Sequence, residues 1–157
     1  MNINRNFSFL LKEKQAMGKC KDKKCKKPCC IEWININSNT INRTGGDING
    51  LIISEPGNYR ICENVDWFGG ITDGFAITLA SDDIVLDLGS HTIKQVNTLS
   101  VRNFAIQVNA NLERITIQHG FINQFSGGGI HVRAGVDCIT VDGIQFSHTG
   151  YNGNRPE

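Results

Sequence analysis

Four of the chain's six cysteines lie in one lysine-rich stretch, "KCKDKKCKKPCC" (Lys19–Cys30). Thiolates this close together can hold zinc or pair as disulfides. Adjacent Cys29 and Cys30, following Cys20 and Cys25, match no common finger spacing, so no metal site is assigned. Disulfides, zinc ligation and free thiols on a solvated tail all stay open for Cys20, Cys25, Cys29 and Cys30. Lys19, Lys21, Lys23, Lys24, Lys26 and Lys27 give the same stretch a clear chemistry. They attract a polyanion or an acidic surface, with salt-sensitive affinity. No aromatic residue is interleaved with them, so base stacking is not indicated. The histidines are scattered. His91 and His119 fall at expected turns and His148 follows the last apolar run, so the repeat alignment puts no two of them in one column.

Charge separates this head from the rest. Residues 1–31 hold nine Lys/Arg against two acids, a net +7, while residues 32–157 hold seven against thirteen, a net −6. A charge run with little apolar content buries no core, so 1–31 reads as a basic Cys/Lys-rich tail and 32–50 as a linker or N-terminal cap. No run approaches the roughly 18–20 apolar residues of a membrane span. "FSFLL" (Phe7–Leu11) is too short for a signal-peptide core and runs straight into "KEK". Synthesis in the cytoplasm without a signal peptide is the expectation.

The elements behind any site come from a repeat. "AITLASDDIVLDLGSHTI" (Ala76–Ile93) recurs as "AIQVNANLERITIQHGFI" (Ala105–Ile122), 29 residues on, and as "GIHVRAGVDCITVDGIQF" (Gly129–Phe146), a further 24 on. Three apolar columns emerge. Ile77, Ile106 and Ile130 head the first. Leu86, Ile115 and Ile139 head the second, followed by Leu88, Ile117 and Val141. Ile93, Ile122 and Phe146 form the third. A period in this range marks a solenoid. A leucine-rich repeat fails, because its Asn/Cys position is filled by His91, Gly120 and Ile144, and its helical return alternates like a strand. Two-residue alternation in every piece predicts an all-β, right-handed parallel β-helix of about four coils over residues 51–149. Residues 150–157 then read as a C-terminal loop heading into further coils.

"SEPGNYRICENV" (Ser54–Val65) followed by "AITLASDDIVLDLGSHTI" resembles the opening coils of the pectin-lyase-like β-helix family. There a PG-x-Y start and a V-x-LDL-x-GHTI stretch are common. Ser90 departs from the family's usual glycine. The Asn- and Ile-rich composition and the Lys/Cys head also look like β-helix proteins of large DNA viruses, which implies a virion or host cytoplasm. The resemblance implies a fold and a taste for polysaccharide more than an activity.

Inward residues of a β-helix are structural, so function must use outward ones. The first strand of each coil presents a stripe: Thr78, then Gln107 and Asn109, then His131 and Arg133. These are the candidate ligand-binding residues, suited to sugar hydroxyls. Glycoside hydrolysis needs two carboxylates about 5–9.5 Å apart, and this stripe carries none. Arg133 has the chemistry of a lyase base but lacks an aligned Asp or Glu. Asp82, Asp83, Asp87, Glu113, Asp137 and Asp142 are expected at other corners. No catalytic residue and no cofactor is assigned. The preferred function is therefore a non-catalytic structural or binding module, and the alternative is a polysaccharide lyase or glycoside hydrolase. After Phe146 only "SHTGYNGNRPE" follows, which predicts an uncovered last coil able to self-associate.

Overall fold

Isoleucine, valine and leucine at alternate positions favour extended backbone, where branched side chains pack well on a pleated surface. The computed structural model describes residues 31–42, 49–69, 72–96 and 101–150. The tail lysines and cysteines therefore lie outside the described residues. The chain begins with β1 (Trp33–Ile36) and a single helical turn, α1 (Ser38–Ile41), capped by the Asn37 side chain accepting from the Thr40 N–H. The coils follow. The first is β2 (Asn49–Ile53), β3 (Gly57–Ile61) and β4 (Val65–Trp67); the second is β5 (Gly74–Leu79), β6 (Ile84–Asp87) and β7 (Thr92–Gln95). The third is β8 (Asn103–Val108) and β9 (Glu113–Asn123), and the fourth β10 (Gly128–Val132) and β11 (Asp137–Ser147).

All pairings among these strands are parallel and run from coil to coil. One sheet is β2-β5-β8-β10, and the other is built on β1-β3-β6-β9, with β11 on β9 and with β7 and β4 continuing from its far half. The result is a parallel β-solenoid of about 4 turns. The first end is closed: β1 pairs with β3, and Ile36 and Ile41 are buried beneath the first coil. No helix among the described residues is long and apolar enough to cross a membrane.

Inside, the columns stack as expected in their first and third members. Ile77 pairs with Ile106 and Ile106 with Ile130; Ile93 pairs with Ile122 and Ile122 with Phe146. The second column is corrected. Ile84, not Leu86, faces Ile115, and Leu86 faces Ile117, so this strand is displaced by 31 residues where its neighbours are displaced by 29. Coil three has two more residues before this column and two fewer after it. In coil two the β6–β7 corner is a loop, Leu88–His91, whereas in coil three the chain passes the same corner inside β9 with a kink at His119 (φ 54°).

Left-handed residues stack at the corners as the apolar residues stack within. Asp83, Arg114 and Cys138 (φ 55°, 56° and 54°) follow one another up one corner, and Gln124 and His148 (φ 60° and 50°) up another. Each non-glycine residue there costs about 1–2 kcal/mol, offset by the parallel ladders on either side. At Arg114 and Cys138 the kink falls inside a strand, and the β9–β11 pairing skips that one position and resumes at Ile115 and Ile139.

Burial tracks position along the solenoid. Val108, Ile117 and Ile122 are fully buried in coil three. Their partners one coil on, Val132, Val141 and Phe146, are 42%, 46% and 49% exposed. Ile130 and Ile139, expected at this rim, are half-buried.

Candidate functional site

The outer face of the β2-β5-β8-β10 sheet carries the five candidate ligand residues, and the ladder brings three of them together. Thr78 pairs with Gln107 and Gln107 with His131. They are not an open polar stripe. Thr78 and Gln107 are buried, Asn109 and His131 half-buried, and only Arg133 is exposed.

Aromatic rings hidden from the alternation pattern explain the difference. Ala105 and Ile106 are consecutive and both fully buried, so alternation breaks there and Phe104 turns outward. Ala76, Ile77 and Phe75 repeat the arrangement one coil earlier. The Phe104 ring lies 5.6 Å from Phe75 and 5.0 Å from the His131 imidazole, and Phe75 is 6.0 Å from His131, all near-parallel. The available signal was the repeated "FAI" at Phe75–Ile77 and Phe104–Ile106.

Hydrogen bonding on this face is incomplete. Gln107 Nε2 donates to Asn109 Oδ1 at 2.8 Å, while Gln107 Oε1 and His131 Nδ1 are buried without a partner. A buried acceptor left unsatisfied costs about 1–3 kcal/mol.

A second arrangement lies on the other sheet, at the β6–β7 corner. Asp87, expected at a corner, is the last residue of β6 and stands beside Arg60 of β3, its register partner. Asp87 Oδ2 accepts from Arg60 Nε at 3.1 Å and Nη2 at 2.8 Å, and Oδ1 accepts from the Gly89 N–H at 2.8 Å. His119 Nδ1 lies 3.6 Å from Oδ1, too far for a hydrogen bond but close for a charge. His91 and His119 stand at the corner, as expected, and in different register positions, yet both line one cleft of about 440 Å³ with Arg60, Cys62, Asp87 and Ser90. Among the described residues no three His, Cys, Asp or Glu side chains gather as a metal site.

Burial alone would push the Asp87 carboxyl up, but the Gly89 N–H, the Arg60 guanidinium and nearby His119 together hold it below the ordinary carboxylate range. A depressed folded-state value stabilises the protein above the unfolded value, about 3.9. That stability is lost as pH falls through the folded value. Thermal melts of the parent and Asp87→Asn should therefore differ at neutral pH and converge well below pH about 4. A constant gap down to strongly acid pH would mean that the ion pair contributes nothing.

Asp142, expected at a corner, also stands on a strand, β11, in register with Gln118 and so in the Asp87 column. Asp82, Asp83, Glu113 and Asp137 do sit at the corner before the second sheet. There Arg114 bridges Asp83 and Glu113, and the Glu113 N–H donates to Asp82. In comparisons with known proteins, no family model, no curated protein and no solved structure matches this chain.

Proposed function

We propose that this chain is a non-catalytic binding module that presents the outer face of its β2-β5-β8-β10 sheet to a polysaccharide. One observation carries the reading. The Phe75, Phe104 and His131 rings lie near-parallel on that face, with Gln107 beside His131 across the β8–β10 ladder. A pyranose offers C–H faces to those rings and hydroxyls to the polar side chains at their border. Thr78, Asn109 and Arg133 border the same patch and supply further polar contacts.

The basic residues 1–31 serve as an anchor to a polyanion or acidic surface. An anchored rigid rod suits a virion-associated protein of pectin-lyase-like ancestry. Among the described residues no strand pairs with the outer sides of β10 and β11, and Val132, Val141 and Phe146 are exposed there, a combination that favours association of two copies through the last coil.

Affinity electrophoresis through gels cast with a polysaccharide panel tests the reading. Retardation by at least one neutral polysaccharide is expected, reduced about tenfold in Phe104→Ala and Gln107→Ala. Deleting residues 1–31 should leave that retardation intact while abolishing retention on heparin. Sedimentation of the same samples should show a concentration-dependent dimer. No retardation on any polysaccharide overturns the module. Release of reducing or unsaturated ends from the bound polymer would assign the lyase or hydrolase alternative instead.

A further inference from the structure

Arg60 reaches the β6–β7 cleft with much of its guanidinium already held. The Trp33 ring lies 4.2 Å beneath it, and Asp87 takes the edge formed by Nε and Nη2. A guanidinium fixed on one face and one edge loses little freedom on binding. Nη1 and the outer proton of Nη2 remain, on a side chain 44% exposed. Across the same carboxylate stands His119, half-exposed, with Nδ1 turned toward Asp87 and Nε2 therefore turned away. One buried carboxylate thus fixes Arg60 and stands beside His119 at one mouth.

The chemistry of the cleft is one-sided. Asp87 is 4% exposed and its oxygens already accept three hydrogen bonds, so it positions its neighbours rather than contacting a ligand. Ser90 and His91 line the same cleft with a hydroxyl and a second imidazole. The lining thus includes a guanidinium, a hydroxyl and two imidazoles. A planar carboxylate would be satisfied by the arginine fork alone, whereas a tetrahedral ion presents oxygens to all of them.

We propose that this corner cleft binds a tetrahedral oxyanion, a phosphate or sulfate ester group, with Arg60 and His119 as ligands and Asp87 as the positioning residue. The site is separate from the aromatic face of the other sheet and does not depend on it. The two esters share this recognition and differ in charge, a phosphate monoester being largely dianionic at neutral pH and a sulfate monoester monoanionic.

Isothermal titration of the full chain with methyl phosphate, methyl sulfate and acetate tests this. Saturable binding of either ester is expected, weakened about tenfold in Arg60→Lys, which keeps the charge but loses the fork, and weakened also in His119→Gln. Tighter methyl phosphate assigns a phosphate ester. Tighter methyl sulfate assigns a sulfate ester. Absence of saturable binding, acetate bound as tightly as either ion, or unchanged binding in a folded Arg60→Lys variant overturns the site. Phe104→Ala, which strips the aromatic face, should leave the titration unaltered, so the two sites stand or fall separately.

Discussion

Ile117→Asp is expected to leave the chain unfolded at room temperature. Ile117 is fully buried between Leu86 of the coil before and Val141 of the coil after. An aspartate there would sit in a stack of aliphatic side chains with no cation in reach. An uncompensated buried charge costs about 3–5 kcal/mol, on top of the roughly 1.5–3 kcal/mol of apolar burial lost with the isoleucine. That sum of roughly 5–8 kcal/mol exceeds the stability of a domain in the lower part of the usual range of about 5–15 kcal/mol, where a short four-coil solenoid falls. Thr116→Asp is the control, because Thr116 is the preceding residue and points outward, where a surface charge shifts stability by about 0.5 kcal/mol or less. Circular dichroism melts of the two variants read the result. If Ile117→Asp melts with the parent, the β6–β9–β11 register is wrong.

The second large effect is expected at Gly50→Ala. A Cβ at this position would lie 2.1 Å from the carbonyl oxygen of Ala76 and 2.8 Å from its carbonyl carbon. Those are backbone atoms of β5, which is paired on one side with β2 and on the other with β8. The strand cannot withdraw without breaking a ladder, so the overlap must be relieved by moving β2 away from the stack. A loss of about 3 kcal/mol follows, read as a lowered urea midpoint at unchanged slope. A loss below about 1 kcal/mol would mean that the first two coils are not in close contact at this position.

The proposed oxyanion site and the proposed polysaccharide face lie on different sheets, and a solenoid keeps them independent. Each coil contacts mainly the coils beside it, so a substitution on one outer face leaves the other in place. This is why Phe104→Ala and Arg60→Lys separate the two readings.

The chain's own residues determined the solenoid. Repeated pairs such as Ile77/Leu79, Ile106/Val108 and Ile130/Val132 alternate with polar residues at a spacing that neither a helix nor a hairpin can use. Stacking identical positions is the way such short strands bury both members of each pair. Three matters were decided only in the folded chain. The two-residue slip at Ile84 and Ile115 was invisible because side chains alternate with period two, and an even slip leaves every inward residue inward. The outward turn of Phe75 and Phe104 was hidden for the opposite reason: alternation breaks at Ala76–Ile77 and Ala105–Ile106, where two consecutive residues enter the core. Arg60 and Asp87, 27 residues apart, meet because the first and second coils pair in a register set by turn lengths rather than by the apolar pattern. Apolar periodicity specifies which face a residue takes, and turn geometry specifies which neighbour it meets. The candidate sites depend on neighbours, so they emerge only when the coils are stacked.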